Sequence, residues 1–204
     1  FRHPAPDVKT GKIYPVFIPF AGCFQRCVFC AQEKQTGRGE SFGSALESLV
    51  VADIESVNAD SPVELAFYGG TFTALPPATQ FSCLRLALRL KEQGKVSAGG
   101  GSTRPAARTP ELLSVWKEDG LETIELGVQS FSDPALRAAR RGYSGAAAFA
   151  ACRMVKDSGL RLGIQLMPGM PAHSENDFSD DIKRTLELAP QMVRLYPCLV
   201  LRGP

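Results

Sequence analysis

The sequence predicts an α/β fold, a partial (β/α)6, TIM-like barrel of mostly parallel strands, and three observations carry that expectation. Six short runs rich in apolar and β-branched residues recur along the chain, at 13–18, 63–68, 96–103, 123–128, 161–166 and 192–196. Each but the last is followed by a stretch of helical periodicity, the pattern of β-α units whose right-handed crossovers lay strands side by side in parallel. No glycine-rich dinucleotide fingerprint follows the first strand, which turns the expectation from an open doubly wound sheet toward a curled one. In either arrangement the chemistry belongs at the C-terminal ends of the strands.

The intervening helices are legible from their faces and ends. Residues 46–57 place Leu46, Leu49, Val50, Ile54 and Val57 on one side. A helix over 77–93 opens with Pro in its first turn, closes at Gly94, and is expected to bury Phe81, Leu84 and Leu88. Thr109-Pro110-Glu111 caps a helix running to Gly120, with Leu112, Val115 and Trp116 inward. Asp133-Pro134 starts a short helix ending near Gly142, and another spans 146–158 before Gly159. Ser174 and Asp177 resemble a capping box for a helix carrying Phe178, Ile182 and Leu186. Gly99-Gly100-Gly101 inside the third strand is unusual, because glycine weakens a strand; it marks close approach of a ligand or of backbone.

Composition bounds the rest. With 204 residues, 44% of them apolar and 22% charged, the chain reads as one globular domain over 1–204 with residues 1–12 as an N-terminal extension. No apolar run reaches the roughly eighteen residues of a membrane span, and Phe1-Arg2-His3-Pro4 lacks the layout of a secretory signal. A net charge of +2 does not by itself argue for nucleic acid. The last strand would leave an open edge, so a further C-terminal segment beyond Pro204 is expected.

Six cysteines divide into two groups. Cys23, Cys27 and Cys30 stand in the spacing C-x3-C-x2-C directly after the first strand, where a site is expected. Such clustering favours a metal site in a reducing, cytoplasmic compartment over a disulfide framework. A structural zinc site normally takes four protein ligands, and neither His3 nor His173 offers a local fourth. A cubane held by three cysteines leaves one iron open to a ligand. Cys83, Cys152 and Cys198 read instead as small hydrophobes. His173 reads as a loop surface residue, Trp116 as core, and Arg137, Arg140 and Arg141 as a basic patch of the kind that is usually a solvated helix face.

The cysteine spacing, with Phe29 before the last cysteine, resembles the radical S-adenosyl-L-methionine (SAM) superfamily. Further segments follow in order: Phe67-Tyr68-Gly69-Gly70-Thr71-Phe72-Thr73, Ser102-Thr103-Arg104-Pro105, Gly127-Val128-Gln129-Ser130-Phe131, Arg141-Gly142-Tyr143, Met167-Pro168-Gly169-Met170-Pro171 and Val193-Arg194-Leu195-Tyr196-Pro197. Together they resemble the branch containing the catalytic subunit of Elongator and its bacterial relatives, with oxygen-independent coproporphyrinogen oxidases as more distant kin. The resemblance covers residues 13–202. It implies an oxygen-sensitive 4Fe-4S cluster on Cys23, Cys27 and Cys30 whose open iron chelates SAM. Reductive cleavage then gives a 5′-deoxyadenosyl radical that abstracts hydrogen from a substrate, a tRNA base standing among the candidates. A flavodoxin- or ferredoxin-type protein would donate the electron.

The same resemblance implies roles for single residues. Phe29 and the turn Gly69-Gly70-Thr71 lie where the family binds SAM, the turn taking its amino group. Ser102 and Arg104 end the third strand, and a fixed guanidinium suits a carboxylate or phosphate. Gln129 is placed like a ribose contact, Arg141 like an arginine near SAM's carboxylate, and Gln165 where the oxidases have an acidic ribose contact. Backbone from Met167 to Pro171 would lie along the adenine. The alternative is a non-catalytic iron–sulfur or zinc module, acting as a redox sensor or assembly component, which would bind metal without cleaving SAM.

Overall fold

The computed structural model describes residues 12–18, 22–23, 26–32, 62–105 and 110–199. The helix expected over 46–57, the N-terminal extension and the Thr109 cap lie outside the described residues or at their margin. Six strands form one sheet in sequential order: β1 (Ile13–Ile18), β2 (Val63–Gly69), β3 (Val96–Thr103), β4 (Leu121–Gln129), β5 (Arg161–Leu166) and β6 (Met192–Leu195). Every neighbouring pair is parallel, and the sheet curls into a half-barrel with helices on its outer face. The expected strands differ only at their ends. β4 begins at Leu121 and runs through Gln129, because Leu121 continues the ladder opposite Gly99.

Five helices link the described strands: α1 (Pro77–Glu92), α2 (Pro110–Glu118), α3 (Asp133–Ala138), α4 (Gly145–Asp157) and α5 (Glu175–Leu188). Their ends follow local chemistry. Ser144 caps α4 by accepting from the Ala147 N–H at 3.1 Å. Ser174 and Asp177 form the expected capping box on α5, and hydrogen bonds from the Ser174 side chain and backbone pull the Asp177 pKa down to about 2.

Three helices are rotated from the expected faces. On α1, Cys83, Leu84, Ala87 and Leu90 are buried, whereas Leu88 is exposed and Phe81 only half-buried. On α2, Leu113 and Trp116 face inward, while Leu112 and Val115 are exposed. The Trp116 indole N–H donates to Gln80 Oε1 at 2.8 Å, so the polar edge of this core residue is satisfied. On α5 the buried residues are Asp181, Thr185 and Leu188, and Leu186 is 72% exposed. Leu84, Trp116 and Ile182 pack inward as expected, and the rest of each stripe is offset; on α1 and α5 the buried stripe includes the polar Gln80, Asp181 and Thr185, which find partners inside.

The two faces of the sheet differ in kind. The helix-packed face carries Val16, Leu65, Phe67, Ile124, Leu126, Leu162 and Ile164, all buried in one core with Cys83 and Cys152. The concave face carries Ala66, Tyr68, Gly100, Ser102, Thr123, Glu125, Gly127, Gly163, Gln165 and Arg194 in register. The glycine run in β3 is explained by the protein's own packing. A Cβ on Gly99 would lie 3.0 Å from the Gly120 carbonyl oxygen, and one on Gly101 would lie 3.2 Å from the Phe72 ring. The approach is by backbone, by an aromatic ring and, at Gly100, by the Glu64 carboxylate at 3.3 Å.

Candidate functional site

Every strand sends residues to one pocket at its C-terminal end. After β1 come Cys23, Arg26, Cys27, Phe29, Cys30 and Gln32; β2 ends in Gly69, Gly70 and Thr71; β3 in Ser102, Thr103 and Arg104. β4 contributes Gly127 and Gln129, the turn after α3 contributes Arg141, β5 leads to Gln165 and Met167, and β6 to Tyr196. All thirteen residues singled out from the sequence line this pocket. Residues from Cys23 to Tyr196, 173 positions apart in the chain, are therefore gathered by strand order, since all but Arg141, which follows α3, lie at or just beyond a strand's end.

The cysteine loop is held against the turn after β2. Gly22 has a φ of +73°, and any Cβ there would collide with the Thr71 carbonyl, so only glycine lets the loop close. Cys23 Sγ lies 3.3 Å from Thr71 Oγ1, and the Gln32 side chain donates to the Gly69 carbonyl. Gly69 is glycine for a related reason: its φ is +104° and a Cβ would lie 2.8 Å from the Ile18 carbonyl oxygen of β1.

Arg141 is the hub of the pocket. It is only 5% exposed, so the basic patch splits: Arg137 and Arg140 face solvent, and Arg141 turns inward. Its Nη1 donates to Cys27 Sγ at 3.0 Å, its Nε to Tyr143 Oη at 2.8 Å, and its Nη2 to the Gly127 carbonyl. The guanidinium also sits over the Phe29 ring, 5.8 Å from its centroid. Burial opposes its charge, yet Tyr143 and Cys27 hold its pKa above the ordinary arginine value. Arg104, buried beside it, donates to the Arg141 backbone carbonyl.

Two features test whether the residues suit a bound cluster and SAM. Burial, and then the charges of Cys27 and Cys23, push the Cys30 thiol up to about 11. Three thiolates packed this way need a positive partner, and an iron–sulfur cluster supplies one. Among the described residues no three His, Cys, Asp or Glu side chains close around a single metal ion; a cubane, being several atoms wide, holds its thiolates further apart than one ion does. Gln129 gives the second feature. It is 7% exposed, its φ is +68°, and its Oε1 is buried without a partner. A non-glycine residue held left-handed in a pocket wall, with a buried acceptor lacking a partner, fits a residue that meets a ligand. The residues fit both groups.

Below the pocket lies a polar cluster that the sequence reading missed. Glu125, 2% exposed, accepts from Arg194 Nε at 2.9 Å, from Gln165 Nε2 at 2.9 Å, and from the Tyr68 hydroxyl. Gln165 also reaches Ser102 Oγ at 3.3 Å. Its amide nitrogen is thus engaged inward, which leaves Oε1 for the pocket. Burial, and then the hydrogen bond to Glu125, raise the Tyr68 pKa. A charged residue between Ile124 and Leu126 in an apolar strand was the available signal. His173 corrects a further expectation: it is not a surface residue. Its side chain is 1% exposed and pairs with Asp181 at 3.0 Å, because Asp181 also accepts from the Phe131 N–H and needs a second donor inside.

The family model of the radical SAM superfamily matches residues 17–185, and the chain belongs to that superfamily. A 4Fe-4S cluster and SAM, the cofactors expected from the sequence, are those of this family. Among particular proteins, the chain is 32% identical to the tRNA uridine(34) acetyltransferase of Methanocaldococcus infernus, over 99% of this chain and 46% of that protein. It is 29% identical to mouse Elongator complex protein 3, over 69% of this chain and 29% of that one. The structure of the archaeal Elp3 from Methanocaldococcus infernus superposes with a TM-score of 0.69 at 25% identity, covering 95% of this chain and 47% of that chain. The chain thus spans about half the length, or less, of the relatives it matches. Among the described residues no helix is long and apolar enough to cross a membrane.

Proposed function

We propose that this chain is the core of a radical SAM enzyme, with Cys23, Cys27 and Cys30 holding a 4Fe-4S cluster and the surrounding strand ends holding SAM. The observation that carries the reading is one pocket in which three cysteines share walls with Gln129, whose buried acceptor has no partner within the protein. Held there, the cluster and SAM would supply reductive cleavage to a 5′-deoxyadenosyl radical for hydrogen abstraction. The protein's part is to bind, orient and exclude. Gly69, Gly70 and Thr71 shape the wall next to Cys23, Gln129 Oε1 and Gln165 Oε1 offer acceptors to hydroxyl groups, and Met167 closes an apolar side. Arg141 keeps two N–H groups beyond the three already used, enough to meet a carboxylate. Glu125 and Ser102 fix the Gln165 amide so that its oxygen stays aimed at the pocket.

Anaerobic reconstitution with iron and sulfide, followed by SAM and dithionite, tests the reading by release of 5′-deoxyadenosine and methionine. A cluster that forms without any cleavage would establish the redox-sensor alternative. A one-electron protein donor of the flavodoxin or ferredoxin type and a cytoplasmic location belong to the same proposal. Among substrates, a tRNA base is the class that the similarity to a tRNA uridine(34) acetyltransferase supports. Binding of tRNA that weakens steeply with salt is expected, and binding absent at low salt removes that substrate.

A further inference from the structure

The hydrogen bonds at the cysteine sulfurs are uneven, and this unevenness concerns the electron rather than the ligand. Arg141 Nη1 lies 3.0 Å from Cys27 Sγ, and Thr71 Oγ1 lies 3.3 Å from Cys23 Sγ. Cys30 Sγ takes its hydrogen bond from the backbone N–H of Gln32. Neither Arg141 nor Thr71 is placed by accident of a mobile side chain. Thr71 is fully buried. The Arg141 guanidinium is fixed by Tyr143 Oη and the Gly127 carbonyl, Tyr143 is itself tied to the Gly127 and Val128 carbonyls at 2.9 and 3.0 Å, and Arg104 holds the Arg141 backbone. A cysteine that ligates iron carries no proton, so at Cys23 the threonine hydroxyl must be the donor, and at Cys27 the donor is a cation.

We propose that Arg141 and Thr71 are positioning residues that set the reduction potential of the cluster through Cys27 and Cys23, Arg141 having the larger share. This rests on the reading that the three cysteines hold a 4Fe-4S cluster. Reduction adds one negative charge, which spreads onto the thiolate sulfurs. A hydrogen bond or a positive charge at those sulfurs stabilises the reduced form more than the oxidised one and so raises the potential. The guanidinium contributes both, inside a pocket where screening by water is weak, whereas the hydroxyl contributes only a neutral dipole. Burial of Arg141 therefore has a purpose at the sulfur that is separate from any contact with a carboxylate.

The test is a potentiometric titration of the reconstituted chain, monitored by the electron paramagnetic resonance signal of the reduced cluster. It is run without SAM, so that altered SAM binding cannot contribute, and with iron and sulfide counted per chain. R141Q is expected to lower the reduced-to-oxidised ratio at the wild-type midpoint about tenfold, a shift of 59 mV to more negative potential for a one-electron couple. R141K should recover part of it by restoring the charge without the fork. T71V should shift the midpoint the same way by less, and T71S should restore it. If R141Q fails to load, R141K and T71V still decide the matter. Fully loaded variants with the wild-type midpoint, or with a midpoint moved upward, overturn the inference alone. A wild-type chain that takes up no iron overturns the cluster reading and this inference with it.

Discussion

The same strands present two unlike faces. Toward the helices, β4 shows Ile124, Leu126 and Val128, each buried among aliphatic neighbours. Toward the concave side, the alternate residues of that strand are Thr123, Glu125, Gly127 and Gln129. The first set holds the fold by excluding water, at about 1.5–3 kcal/mol per large side chain. The second set is polar or absent as a side chain, and the glycines among it make room. A Cβ on Gly163 would lie 2.7 Å from Glu125 Cγ, and one on Gly127 would lie 3.0 Å from Gln129 Nε2. The difference teaches that stability and chemistry are separated here by one residue of alternation, so neighbouring substitutions should have unrelated consequences.

The strongest contrast is between Cys27 and Leu126. Cys27→Ala removes one of three thiolates, and we expect loss of the cluster spectrum and of SAM cleavage with little change in the urea midpoint of the metal-free chain. Leu126→Ala should do the reverse. It should lower the unfolding free energy by about 2–5 kcal/mol in urea titrations, while the chains that remain folded still load iron. If Leu126→Ala abolished loading at a urea concentration where the chain is folded, the two faces would not be separable.

Glu125→Ala sharpens the comparison from the other side, because it makes a concave-face residue matter for stability. Removing the carboxylate strands Arg194 and Tyr68, and roughly 2 kcal/mol of destabilisation is expected, below the cost of breaking a fully buried pair because Arg194 retains some solvent contact. It also frees the Gln165 amide to turn over, so SAM should bind more weakly in equilibrium titrations. Glu125→Gln, which keeps the shape but loses the charge, should fall between Glu125→Ala and the wild type on both measures.

The smallest effect lies away from both faces. Asp177→Ala removes half of the capping box on α5 and should lower stability at neutral pH by less than Leu126→Ala or Glu125→Ala. The Asp177 pKa is lowered to about 2 from its ordinary 3.8, so its share of stability is present above about pH 4. That share is lost as the pH falls through about 2. The stability difference between wild type and Asp177→Ala should therefore shrink across that acid window and stay constant from pH 5 to 7.

Much of this was legible because strand ends and pocket coincide. The six strands were bounded to within a few residues by their own apolar runs, and a residue at a parallel strand's C-terminal end needs no tertiary information to be placed near the others. Gln129 ends β4 and is placed by that rule, whereas Arg141, beyond α3, was singled out by the family resemblance, which also supplied the role expected of each. The helix phases were less legible, since Asp181 and Thr185 sit on a buried stripe that apolar periodicity does not record; what keeps them inside is a backbone N–H of Phe131, His173 and a carbonyl within α5. The Glu125–Arg194–Tyr68 cluster was missed for the same reason, as its members are far apart in sequence and meet only through strand register. The role of the β3 glycines needed coordinates, because what they avoid is Gly120, Glu64 and Phe72.

The central claim is that the cysteine end and the strand-end wall form one cofactor site, and one measurement addresses it directly. The reduced, reconstituted protein is examined by electron paramagnetic resonance with and without SAM. A cluster signal whose shape changes on adding SAM, with a change that requires higher SAM concentrations in Gln129→Ala, is the predicted result. A cluster that forms on the three cysteines but gives the same spectrum at every SAM concentration would contradict the account.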